Sequence, residues 1–123
     1  MTLKEIAEAL VEGCRTGNEM ANLDALYDPD AVSVEAMDFS GQGRETPGLD
    51  GIKGKHAWWD SAMEVHSAKA DGPYLHGDDR FAVIFEVDAT DRSSGQRVAM
   101  KEVAVYHVAG GKIVREEFFG TGS

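Results

Sequence analysis

The sequence predicts an α+β protein in which helices pack on one face of a curved, mostly antiparallel sheet. Three observations carry this. Apolar residues recur at intervals of three and four through the first 27 positions, and the period falls to two from Ala31. After one more helical stretch, alternation broken by turn residues runs to the end of the chain. A sheet folded around helices on its concave side leaves a cone, whose mouth must be filled by side chains, a ligand or water.

Thr2 and Glu5 have the spacing of a capping box, and Leu3, Ile6, Ala7, Leu10, Val11 and Cys14 follow on one stripe, so a helix is expected over Leu3 to Thr16. Gly17 and Asn18 stop it. A shorter stripe, Met20, Leu23, Leu26 and Tyr27, ends at the Asp28-Pro29 turn. From Ala31, Val32 and Val34 alternate with Ser33 and Glu35, a strand that Glu35 ends. Met37 to Gly51 is rich in glycine and reads as an irregular loop, a rim or lid. Ile52, His56, Trp59, Met63 and His66 place a third helix over Gly51 to about Val65. A weak strand over His66 to Leu75, interrupted at Gly72-Pro73, and a polar turn over His76 to Arg80 come next. Three alternating segments, from Phe81, from Arg97 to Val108 and from Lys112 to Phe119, then form an antiparallel meander.

At 123 residues the chain, 1–123, is expected to be one domain, because dividing it would leave each part short of a core. Hydrophobic residues at 42% exclude a disordered acidic chain. A formal charge of -10 repels phosphate backbones and anionic lipid, so neither nucleic acid nor a membrane is an expected partner. The opening MTLKEIAEAL has no basic segment before an apolar run, and the expected location is cytoplasmic. Cys14, alone of its kind, falls on the stripe of the first helix and is read as a packing residue.

Element order, chain length and the segments YDPDAVSVE, GIKGKHAWW and VAVYHVAGGKIVREEFF resemble the SnoaL-like branch of the nuclear transport factor two superfamily over nearly the whole chain. The resemblance implies a cone-shaped, cystatin-like α+β roll with N-terminal helices on the concave face. It leaves activity open, because the superfamily spans ketosteroid isomerases, cyclases, dehydratases, hydrolases and binding modules. Against the isomerase pattern, Glu35 takes the place of the general base, at the end of the first strand and facing the cone, while His66 takes an inward pocket position. Leu10 and Ala104 stand where the isomerases hold their two oxyanion donors, so steroid isomerisation is not expected.

Strand periodicity adds two acids. Val98, Met100, Glu102, Ala104, Tyr106 and Val108 share one face, and Glu102 is the charge in that mostly apolar row. Such a charge needs a partner or a function. A three-residue loop, Ala109-Gly110-Gly111, brings Glu116 and Phe118 to the face of Glu102, whereas a two-residue loop brings Arg115 and Glu117. The longer loop matches the superfamily register. Glu35, His66, Glu102 and Glu116 are thus the expected catalytic group, with Glu35 as base, and Trp58, Trp59, Phe85, Tyr106 and Phe118 the expected lining of a ring-sized apolar cavity. The structural alternatives are an exposed strand-end carboxylate for Glu35, a core histidine bonded to a backbone carbonyl or a carboxylate for His66, a pair with a nearby Arg or His for Glu102, and core packing for the aromatics.

No HxH, HExxH or CxxC spacing supports a metal, no glycine motif supports a nucleotide, and no cofactor is expected. Neither Ser93-Ser94 nor Cys14 has a visible base to make it a nucleophile. His56, His76 and His107 suit surface roles. Ala99, Val103, Val105 and Ile84 among Lys101, Glu86 and Asp88 make an outer sheet face suited to a twofold homodimer. The expected function is binding of a small, largely apolar molecule with acid/base chemistry, the alternative a non-catalytic ligand-binding or dimeric interaction module.

Overall fold

The computed structural model describes residues 1–38 and 41–120; Phe39 and Ser40 of the expected loop lie outside them. The described residues form α1 Leu3–Thr16, α2 Glu19–Leu26, β1 Tyr27–Val34, β2 Glu45–Pro47, α3 Leu49–Ala62, β3 Met63–His76, β4 Arg80–Asp91, β5 Arg97–Ala109 and β6 Lys112–Phe119. The curved sheet runs β2-β1-β6-β5-β4-β3. β1 and β6 pair in parallel and every other neighbouring pair is antiparallel.

The first helix has the expected bounds, and both capping-box bonds are made. Glu5 N–H donates to Thr2 Oγ1 at 3.2 Å and Thr2 N–H donates to Glu5 Oε1 at 2.9 Å, satisfying amides the helix leaves unpaired. Ile6, Ala7, Leu10 and Val11 form its buried stripe and pack with Phe81, Val83, Ala104, Tyr106 and Ile113 of the sheet. The rings of Phe81 and Tyr106 stack at 4.8 Å. α2 approaches α1 at a glycine: a Cβ on Gly13 would lie 1.9 Å from Asn22 Nδ2, which donates to the Ala9 carbonyl at 3.0 Å.

Four boundaries differ from expectation. β1 starts at Tyr27, opposite Ile113, and the Asp28-Pro29 turn is absorbed as a register shift between Tyr27 and Val32. The expected loop contains a three-residue edge strand, β2, paired with β1. α3 runs from Leu49 and stops at Ala62, because Met63 onward pairs with β4, starting opposite Asp91. Met63 and His66 therefore lie on a strand, not a helix, and His66 falls in a register shift between Val65 and Ser67. β3 continues through Gly72-Pro73, where the break expected from the sequence is a shift in pairing between Asp71 and Tyr74.

The β5–β6 hairpin corrects the expected loop yet keeps its consequence. The loop has two residues, Gly110 and Gly111, both with positive φ, and Ala109 pairs with Lys112. A register shift follows between His107 and Val108: Val108 faces Ile113 and His107 faces Arg115. One additional residue on β6 thus replaces the third loop residue. Tyr106 faces Glu116 and Ala104 faces Phe118, the pairing expected from the longer loop.

Candidate functional site

The inner face of the sheet carries the site residues on four strands. Phe85 on β4 stands opposite Glu102 on β5, Tyr106 opposite Glu116 on β6, and Glu116 beside Ser33 on β1. Glu35 follows β1 directly and α3 contributes Lys55 from above.

Glu116 is 2% exposed. A carboxylate that deep needs donors on both oxygens. Tyr27 OH donates to Oε1, and Ser33 Oγ donates to Oε2 at 2.7 Å. Lys55 Nζ in turn donates to Ser33 Oγ at 2.7 Å and forms an ion pair with Glu35. The ammonium also sits 5.5 Å from the centre of the Phe118 ring. Tyr27, Ser33 and Lys55 were not singled out from the sequence. The signal for Ser33 was available, since it shares the strand face of Ala31 and Glu35; Tyr27 was hidden because its helical spacing fitted the end of α2.

Glu102 is half-buried and makes no hydrogen bond or ion pair among the described residues. Burial pushes its carboxyl up to about 7, the charges of Glu35 and Glu116 add to the rise, and Lys55 opposes it. Burial, followed by the charge of Glu116, holds the Tyr27 and Tyr106 phenols well above their ordinary value, so both stay protonated. Burial likewise raises the Cys14 thiol to about 12, which leaves it inert as a nucleophile and fits a packing role.

Three of the four expected catalytic residues, Glu35, Glu102 and Glu116, therefore converge. His66 does not join them. It is exposed on β3, with Nε2 2.7 Å from Thr90 Oγ1 and Nδ1 4.0 Å from Glu64, and Thr90 alternates with the inward Ala89. Of the expected lining, Phe85 and Phe118 flank the acids and pack partly against the core. Tyr106 is fully enclosed in that core. Trp58 is 63% exposed, whereas Trp59 is half-buried, because neighbouring helix positions point about 100° apart. Surface depressions among the described residues include one of about 430 Å³ beside Trp58, Met63 and Arg92 and one of about 710 Å³ beside Lys69, Glu86 and Lys101 on the outer face. Neither touches Glu35, Glu102 or Glu116, so neither is the expected apolar cavity holding those acids.

Among the described residues, no group of three or more His, Cys, Asp or Glu is placed to hold a metal ion. None of the described helices is long and apolar enough to cross a membrane. On the outer face His107 Nε2 lies 3.1 Å from Glu117 Oε1, away from the acids.

Helices laid into a curved, mostly antiparallel sheet with polar groups on its inner row define the cone-shaped α+β roll. The SnoaL-like domain family matches residues 1–120, and the chain belongs to that family. A Mesorhizobium loti protein described as a SnoaL-like polyketide cyclase superposes with a TM-score of 0.90 at 36% identity, over 98% of this chain and 100% of that one. A nuclear transport factor two-like protein from Burkholderia thailandensis gives 0.82 at 21% identity, over 97% and 90%. A Catenulispora acidiphila protein with a ketosteroid isomerase-like fold, in complex with trimethylamine, gives 0.71 at 20% identity, over 98% and 88%. No curated protein matches the chain.

Proposed function

We propose that the inner sheet face around Glu102 binds a small, largely apolar molecule and that Glu102 exchanges a proton with it. The observation that carries this reading is a half-buried carboxyl with no partner among the described residues, raised to about 7 and flanked by Phe85 and Phe118. A group with such a value is available near neutral pH both as acid and as base. In the ionised form it takes a proton from a C–H beside a carbonyl. The bonding pair stays with the substrate, delocalised toward the carbonyl oxygen, and the same proton returns at another carbon to give an isomer or to start a cyclisation. Glu35, expected as the base, is bound by Lys55, so in this reading the proton carrier is Glu102. A steroid substrate is disfavoured, since Leu10 and Ala104 are buried and apolar where the isomerases hold their donors.

The test is deuterium exchange into the α-carbons of small cyclic enones in D2O, followed by proton NMR. The protein is expected to exceed buffer, and Glu102→Gln to lower the rate at least about 100-fold. Exchange that survives Glu102→Gln contradicts the assignment. A second reading, a binding module without catalysis, is favoured by the pairing of Glu35 and Glu116, and enone binding without exchange selects it.

The outer face is where we propose a second copy docks. Val103 stands opposite both Ile84 and Phe119, and Val103 and Phe119 are 37% and 53% exposed, an apolar row that a twofold partner would cover. The molecular mass in solution decides between one copy and two.

A further inference from the structure

The inner row holds three carboxylates and one ammonium, and the ammonium is not shared evenly. Lys55 Nζ, half-buried on α3, forms an ion pair with Glu35 and donates to Ser33 Oγ at 2.7 Å, and the Ser33 hydroxyl donates to Glu116 Oε2 at 2.7 Å. Ser33 is fully buried, so its hydroxyl bridges and is closed to a substrate. No hydrogen bond joins this chain to Glu102 among the described residues. We propose that Lys55 is the positioning residue of the site: by engaging Glu35 directly and Glu116 through Ser33, it occupies two of the three inner carboxylates and leaves Glu102 as the acid free to exchange a proton with a bound molecule.

This rests on the reading of Glu102 as proton carrier and adds what selects it. Two carboxylates with equal claims on one proton share it, and neither then has a defined role. A fixed cation on one of them breaks the tie. The ionisable groups around Glu102 are Glu35 after β1, Lys55 on α3, Tyr106 on β5 and Glu116 on β6. Tyr106 is buried and its phenol is held well above its ordinary value. Lys55 is therefore the cation acting on Glu102, and it favours ionisation there against the two acids and burial.

The test follows the Glu102 carboxyl by carbon-13 NMR across pH in free protein, so that no ligand is required. Lys55→Gln keeps a donor for Ser33 and removes the charge; the Glu102 midpoint is expected to rise by about one pH unit, the lower end of the effect of a lost opposite charge. Lys55→Arg keeps the charge and is expected to hold the midpoint near the wild-type value. A midpoint unchanged in Lys55→Gln, with Glu102 near 7 in the wild type, overturns the role of Lys55 alone. A wild-type midpoint in the ordinary carboxylate range overturns the proton-carrier reading. Should Lys55→Gln fail to fold, Lys55→Met removes the same charge while keeping an unbranched stem beside Phe118; the same upward shift of the Glu102 midpoint is expected, and an unchanged midpoint overturns the role of Lys55.

Discussion

Glu102→Gln is expected to raise the stability of the protein at pH 8 and to leave it nearly unchanged at pH 4. The sign follows from linkage. The folded-state value of Glu102, about 7, lies above its unfolded value near 4.5, so the folded protein favours the protonated form. That contribution is fully present below the unfolded value and is lost as pH rises through about 7. Above neutrality the wild type carries an ionised carboxylate in a half-buried row, beside two other acids. Glutamine has the shape of the neutral acid and no charge to bury. The gain at pH 8 is about 2 to 3 kcal/mol after allowing for partial exposure. In a domain of this size that is roughly 5 to 10 °C in melting temperature. Thermal unfolding of both proteins at the two pH values measures it. A stability loss at pH 8 would mean that ionised Glu102 is held in an ion pair, contrary to the structure.

Tyr27→Phe is expected to destabilise the protein by about 2 to 3 kcal/mol, the range for a hydrogen bond to a charged group lost where water cannot replace it. Tyr27 is 5% exposed and its hydroxyl donates to the buried Glu116. Phenylalanine keeps the ring, so no cavity opens and the loss reports the hydroxyl. Urea denaturation should show a lower midpoint with an unchanged slope. In a Glu116→Leu background the same substitution should cost almost nothing, because the acceptor is gone. A loss below about 0.5 kcal/mol in the otherwise wild-type chain would show that the buried carboxylate does not depend on Tyr27.

The parts of the fold that were readable depended on local pattern. The stripe Ile6, Ala7, Leu10 and Val11 fixes both the existence and the buried face of α1, and the capping pair fixes its start. The alternation around Glu102 is also local and survives in the structure. The join between α3 and β3 was not readable, because Met63 and His66 continue the helical spacing of Ile52 and Trp59. Only the long-range pairing with β4 ends that helix, and His66, which falls in the register shift between Val65 and Ser67, is left exposed. The hairpin shows a different limit. A loop one residue shorter than expected and one additional residue in β6 cancel, so Glu116 faces inward for a reason the turn sequence does not contain. Lys55 was missed because its partners lie 20 and 22 positions earlier, and charge pairing across elements leaves no periodic trace.

The account turns on Glu102 keeping its proton near neutral pH in an inner row where the two neighbouring acids already have partners. The direct measurement is the carbon-13 chemical shift of the Glu102 carboxyl in free, glutamate-labelled protein from pH 3 to 9, assigned by its disappearance in Glu102→Gln. A midpoint of about 7 is the result expected from this geometry. A midpoint in the ordinary carboxylate range, about 4 to 5, would contradict it.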